Sequence, residues 1–219
     1  MNPISLSPSS ISLFLECPRC FWLDKVKGKK RPSGIFPSLP NGMDRILKEH
    51  FDKHRVEGTL PEELEGHCHG RLYPDQKKLD EFRARYKGLK YADKETGFSL
   101  NGLLDDLFVT NEGHYSPLDF KTKGSPKNEE SHKYYQHQMD IYSFLLQKNG
   151  MQPASYAILI FYSPVRVNEN HDVEFKPEPM KIEVDPANGE RIFKEAVKCL
   201  LGEEPKAGEC EWCKWSPET

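Results

Sequence analysis

The sequence contains no long hydrophobic run. Its longest apolar stretch, Tyr156 to Phe161 with Tyr162 after it, falls far short of the ~20 residues that cross a bilayer. No membrane role is expected, and that stretch suits a buried strand. Residues Met1 to Ser10 carry neither the basic start nor the apolar segment of an export signal, so a cytoplasmic protein is expected. There is no excess of positive charge: 31 Lys and Arg face 34 Asp and Glu, a net of −3. This excludes a polycation that coats nucleic acid, but not a local basic groove. There is no internal repeat and no low-complexity tract. What is present is a 219-residue chain, long enough for one domain with a sizeable core, and six cysteines. Without an export signal, those cysteines point to metal or redox chemistry rather than to a disulfide scaffold.

Ser7-Pro8-Ser9-Ser10 is a helix start, a serine cap followed by an early proline. That helix is expected to run on through Cys17-Pro18-Arg19-Cys20 to Leu23. Five of the seven residues from Lys25 to Arg31 are basic, and Pro32 to Pro40 reads as a loop. Met43, Ile46, Leu47 and Phe51 recur at helical spacing, and Asp75 to Tyr86 suggests another helix. Glu57 to Glu65 is acidic and reads as surface.

The period then changes. Phe98 to Thr110 and Tyr115 to Thr122 read as two strands around Asn111-Glu112-Gly113. Tyr134 to Lys148 reads as a helix stopped by Asn149-Gly150, and Ala154 to Tyr162 as a buried strand. Val173 to Phe175 and Met180 to Val184 read as a weak hairpin. Asp185-Pro186 opens a last helix, with Ile192, Phe193, Ala196, Val197 and Leu200 apolar. The order predicts an α/β fold with a mixed central sheet flanked by helices. We read one domain: a helical part over about 7–90, a core over about 97–185, and a helix with a cysteine tail over about 186–215.

The loop Asn111-Glu112-Gly113 carries the chemistry. A three-residue hairpin loop commonly ends in a left-handed glycine, which pairs Thr110 with His114. Carried along both strands, that register sets Asp105 opposite Asp119. Asp119 and Lys121, two apart, share a face. Two opposed carboxylates repel, and a divalent cation is the usual compensation. A lysine beside it can orient a nucleophile or stabilise charge on a phosphoryl oxygen.

These residues resemble a family. Gly102-Leu103-Leu104-Asp105, then Pro117-Leu118-Asp119-Phe120-Lys121-Thr122-Lys123, then Gln138-Met139-Asp140-Ile141-Tyr142 are similar to the signature of the PD-(D/E)XK nucleases. The form is that of the RecB-like branch, which includes the AddB nuclease domain and CRISPR-associated exonucleases. The resemblance implies a restriction-endonuclease-like core and Mg²⁺- or Mn²⁺-dependent hydrolysis of DNA. It implies that Asp105, Asp119 and the Phe120 carbonyl bind the metal, that Lys121 orients the attacking water, and that Gln138 and Tyr142 position the lysine or a phosphate. The branch usually carries a histidine ligand on an upstream helix. Asp44 occupies that place here, while His50 reads as surface or packing.

Cys17 and Cys20 form one C-x-x-C pair, and Cys210 and Cys213 another. Together they make a four-sulfur site that would clasp the two ends of the chain. The resemblance implies a [4Fe–4S] cluster there, although the branch places one cysteine early and three late. Structural Zn²⁺ is the rival. Cys199 reads as a small buried hydrophobe. His67-Cys68-His69, between glycines and with no other ligand in evidence, reads as a loop.

The DNA path is expected along Lys25, Lys27, Lys29, Lys30 and Arg31, with Lys123 and Lys127 as further phosphate contacts. Trp22, Tyr134 and Tyr135 are candidates for base stacking. The implied partners are DNA, single-stranded or with a free end, and helicases or CRISPR adaptation proteins. The alternative is a non-catalytic iron–sulfur or zinc-stabilised DNA-binding module that keeps the fold.

Overall fold

A computed structural model describes residues 4–32, 34, 37–128 and 130–215. After a short strand β1 (Ser5–Leu6), helix α1 (Pro8–Glu16) opens on a reciprocal serine cap. Ser7 Oγ accepts from the Ser10 N–H at 3.3 Å, and Ser10 Oγ accepts from the Ser7 N–H at 2.8 Å. The expected continuous helix does not form. Cys17 is extended (φ −156°), and α2 (Pro18–Lys27) starts anew. Pro18 is the reason: its ring pushes the preceding residue out of helical geometry. The loop expected over Pro32 to Pro40 is also shorter, because α3 (Ser38–Glu57) already begins at Ser38.

Strand β2 (Gly70–Leu72) and helix α4 (Gln76–Arg83) follow; the Asp75 carboxylate caps α4. Next come β3 (Leu89–Ala92), β4 (Ser99–Gly102), β5 (Asp106–Thr110) and β6 (Tyr115–Thr122). A 3-10 turn, Ser131–Tyr135, leads into α5 (Gln136–Lys148). The chain continues through β7 (Tyr156–Val167), β8 (Val173–Glu183), α6 (Pro186–Leu201) and α7 (Glu211–Trp215).

Two sheets form. One has the order β1-β4-β3, the other β2-β5-β6-β7-β8. The larger is mixed: β6 and β7 run parallel, joined through α5, and its other neighbours are antiparallel. On one face Leu118, Phe120, Ile158 and Ile160 pack with Leu47 and Phe51 of α3. On the other, Ala157, Leu159 and Phe161 pack with α5 and α6. The sheet is thus buried between helical layers, as its apolar strands require.

Two strand expectations need correction. Phe98 to Thr110 is not one strand. It breaks after Gly102, and its halves join different sheets. The weak hairpin is instead the single strand β8, paired with β7 from end to end. Pro177 and Pro179 masked it in the sequence. They are tolerated because β8 is an edge strand, where a missing N–H need not break a ladder.

Candidate functional site

The hairpin forms in the expected register: the Thr110 N–H donates to the His114 carbonyl at 2.9 Å, and Gly113 has φ +83°. Asp106 pairs with Leu118, so Asp105 lies one residue before β5, facing Asp119. Asp105 Oδ2 accepts from the Phe120 N–H at 3.3 Å. The strand break therefore places Asp105 at the open end of the large sheet, where α3 reaches it from one side and α5 approaches from the other.

Gln138 ties the site together. Its Nε2 donates to Asp119 Oδ1 at 3.1 Å and to the Tyr142 hydroxyl at 2.9 Å, and its Oε1 accepts from Lys121 Nζ at 3.2 Å. Tyr142 donates to the Leu103 carbonyl at 2.6 Å, which pins the loop that delivers Asp105. Burial, with the charges of Asp119 and Asp105, pushes Tyr142 well above its ordinary pKa, so it remains a donor. Gly102 explains itself here: a Cβ would lie 2.6 Å from Leu145 Cδ1 and 3.1 Å from the Tyr142 ring. Gly102→Ala is expected to cost about 1–3 kcal/mol through this overpacking, read as a lowered melting temperature.

Lys121 Nζ is 2.5 Å from Asp119 Oδ2 and 4.5 Å from the centre of the Tyr135 ring. Burial would lower its pKa, but the Asp119 charge outweighs this and holds Lys121 as an ammonium. Asp119 is buried. Burial and the Asp105 charge push it up to about 7, against the pull of Lys121. Asp44 on α3 is raised by burial and by the same Asp105 charge.

Lys48, one turn after Asp44, is the residue that sequence reasoning missed. Its Nζ lies 2.8 Å from Asp44 Oδ2 and 2.9 Å from Asp105 Oδ1. The four-residue spacing from Asp44 was the available signal. Asp106, next to Asp105, is fully buried between Arg55 Nη2 and Arg83 Nη2. Burial pushes its carboxyl up against the pull of both arginines. Arg83 also donates from Nε to the Asp105 carbonyl at 2.7 Å, which fixes the backbone next to the site.

The donors fit a hard divalent cation. They are oxygens, and Asp119 Oδ2 is buried without a hydrogen-bond partner despite its ion pair with Lys121. Three carboxylates face two ammoniums, leaving one negative charge for a cation to meet. Because Asp119 holds a proton up to about pH 7, cation binding should release it. Mn²⁺ affinity is expected to fall about tenfold from about pH 8 to about pH 6, with release of about one proton at the lower pH. Calorimetric titration in buffers of different ionisation enthalpy measures both.

The second centre lies between α2 and α7. Cys17, Cys20, Cys210 and Cys213 have all four sulfurs within 4.8 Å of one another, the only such group among the described residues. Cys17 to Cys213 and Cys20 to Cys210 are each 3.6 Å, and Cys20 to Cys213 is 3.9 Å. Burial pushes Cys20 up to about 12; Cys210, although burial opposes it, is lowered to about 6 by the Cys213 N–H and the neighbouring thiols. Arg31 lies against Cys20 and Glu16, and Arg19 against Cys213 and Glu204. These cations favour thiolate sulfurs. Cys199 is half-buried and Cys68 is in the core, both away from the quartet.

The residues expected along a DNA path have unlike surroundings. Lys25 pairs with Asp24 at 2.9 Å, and Lys27 sits over Trp22. Lys29 and Lys30 are exposed beyond Gly28, whereas Arg31 is turned to the sulfurs. Lys123 donates to Ser131 Oγ at 2.7 Å. Trp22 is buried and donates to the Gly202 carbonyl; Tyr135 lies under Lys121, and Tyr134 is exposed.

A profile of the PD-(D/E)XK nuclease superfamily matches residues 5–217. The chain belongs to this superfamily. Most PD-(D/E)XK proteins are metal-dependent nucleases, so nuclease chemistry on nucleic acid and a divalent metal follow at the family level. No curated protein matches the sequence. One solved chain, described as the crystal structure of SSO0001, is similar over 98% of this chain and 85% of its own, at 16% identity and a TM-score of 0.46. Among the described residues, no helix of this PD-(D/E)XK chain is long and apolar enough to cross a membrane.

Proposed function

We propose that this chain is a Mg²⁺- or Mn²⁺-dependent deoxyribonuclease of the RecB-like branch, acting on DNA ends or single strands. The observation that carries the reading is the convergence of Asp105, Asp119, Lys121, Gln138 and Tyr142 in one hydrogen-bonded site. Asp105, Asp119, the Phe120 carbonyl and Asp44 would hold the cation. When bound, it supplies Lewis-acid polarisation of the phosphate and lowers the pKa of a bound water. With the cation in place the site carries a net positive charge, which complements a phosphodiester. Lys121, held as an ammonium, orients the water and stabilises charge developing on the phosphoryl oxygens. Gln138 keeps Lys121 and Asp119 in register. Tyr142 holds the Leu103 loop. Lys48 offers a second ammonium beside Asp105. Exposed Lys27, Lys29 and Lys30 contribute phosphate contacts. We infer a role in DNA repair, recombination or CRISPR-type processing, the reading that the likeness to the RecB-like branch supports. End-labelled single- and double-stranded DNA distinguishes the substrates; absence of cutting on both would remove the reading.

The cysteine quartet is proposed as a structural metal clasp. A tetrahedral ion with metal–sulfur bonds of ~2.3 Å holds its sulfurs ~3.8 Å apart. Three sulfur pairs at 3.6–3.9 Å, with no pair beyond 4.8 Å, therefore support a single Zn²⁺. A [4Fe–4S] cluster, in which each sulfur binds a different iron, needs the quartet to spread. After anaerobic purification we expect colourless protein with one zinc per chain. Brown protein with stoichiometric iron would establish the cluster instead.

A further inference from the structure

A second flank of α3, away from Asp44 and Lys48, lines a cavity of about 440 Å³. Its walls combine three histidines and two glutamates: His50 and His54 from α3, and Glu62, Glu63 and His67 from the turns that follow it. Pro177 and Pro179 of the edge strand close the far side. Among the described residues, no lysine or arginine lines it.

We propose that His50, His54, Glu63 and His67 form a metal site distinct from the carboxylate and cysteine centres, taking a borderline divalent cation such as Zn²⁺, Co²⁺ or Ni²⁺. Four observations carry this. His50 and His54 are one helical turn apart, so they project from one face, with ring centres 4.8 Å apart. His50 Nε2 already lies 3.3 Å from Glu63 Oε1. The Tyr162 hydroxyl donates to Glu63 Oε1 at 3.0 Å, the kind of outer hydrogen bond that orients a ligating carboxylate. His54 Nδ1 is engaged by Thr59 Oγ1 at 2.8 Å, which leaves Nε2 as the nitrogen available to a metal. Imidazoles with one carboxylate are a ligand set for these cations rather than for Mg²⁺. No three of these residues bring ligand atoms within 4.8 Å of one another without the ion, so binding must draw His54 and the exposed His67 toward the His50–Glu63 pair by side-chain rotation. Cys68, beside it, is buried in the core and does not take part. A bound ion would cross-link α3 to the Glu63–His67 turn. The inference does not depend on nuclease activity.

The test uses the full chain with its cysteine site loaded and excess Mg²⁺ present, titrated with Co²⁺. One equivalent should bind, giving a visible spectrum of nitrogen and oxygen ligation without a thiolate charge-transfer band. His54→Ala and Glu63→Gln should each weaken binding about tenfold or more. Replacing the exposed His114 with alanine should leave it unchanged. Glu63→Gln keeps the shape and the Tyr162 acceptor, so it remains informative if His54→Ala folds poorly. Absence of a saturable equivalent, a thiolate spectrum alone, or equal affinity in all variants would overturn the proposal.

Discussion

Lys121→Ala should lower metal-dependent DNA cleavage by a factor of about 10²–10³ or more while the chain stays folded. The magnitude is that of removing one preorganised donor from a developing oxyanion. Asp119, Gln138 and the Tyr135 ring hold the Lys121 ammonium in place. Substrate binding should change less, since the exposed lysines proposed to contact phosphate are left in place; the loss should fall on kcat more than on KM. Lys121→Ala leaves Asp119 facing Asp105, which a bound cation compensates. Melting in excess Mg²⁺ should therefore stay close to wild type. An unchanged kcat would remove Lys121 from the chemistry.

Arg55→Ala should be the most damaging substitution for stability away from the site. Arg55 is buried, and its guanidinium meets Asp106, Asp52 at 2.7 Å and the Tyr73 carbonyl at 2.8 Å. Its loss leaves the buried Asp106 carboxylate with Arg83 as the remaining cation and the Leu107 N–H as a donor. Breaking a buried pair from one side costs about 3–5 kcal/mol. For a chain of this size, each kcal/mol is worth about 2–4 °C, so the melting temperature should fall by roughly 10 °C. Arg55→Lys should not restore it, because one ammonium cannot reach the several acceptors that the planar fork serves. A loss under about 1 kcal/mol would contradict this reading of the Asp106 pair.

The residues that could be read from the sequence were those placed by short-range rules. Asn111-Glu112-Gly113 set the hairpin register and with it the approach of Asp105 to Asp119. The four-residue spacing of Gln138 and Tyr142 put both on one side of α5, where they hydrogen-bond directly. The C-x-x-C pairs announced the quartet. What escaped was set by distant packing. Phe98 to Thr110 has strand character on both sides of Asn101-Gly102; that dipeptide was a local break signal, but the seating of Gly102 against Leu145 and Tyr142 was not visible in the sequence. Lys48, Arg55 and Arg83 look like solvent-facing charges on amphipathic helices. Their carboxylate partners Asp105 and Asp106 are far along the chain. Pro18, by contrast, is a local signal for the break at Cys17, and it outweighs the helical pattern around it.

The central claim is that the carboxylate site cuts DNA with a bound divalent cation. The most direct test is cleavage of end-labelled single- and double-stranded DNA by the purified chain with Mg²⁺ or Mn²⁺, with EDTA, and with Lys121→Ala prepared in parallel. The account predicts metal-dependent degradation of at least one substrate by wild type, none with EDTA, and a strongly reduced rate with Lys121→Ala. No cleavage by metal-loaded wild type, or an equal rate with Lys121→Ala, would contradict it.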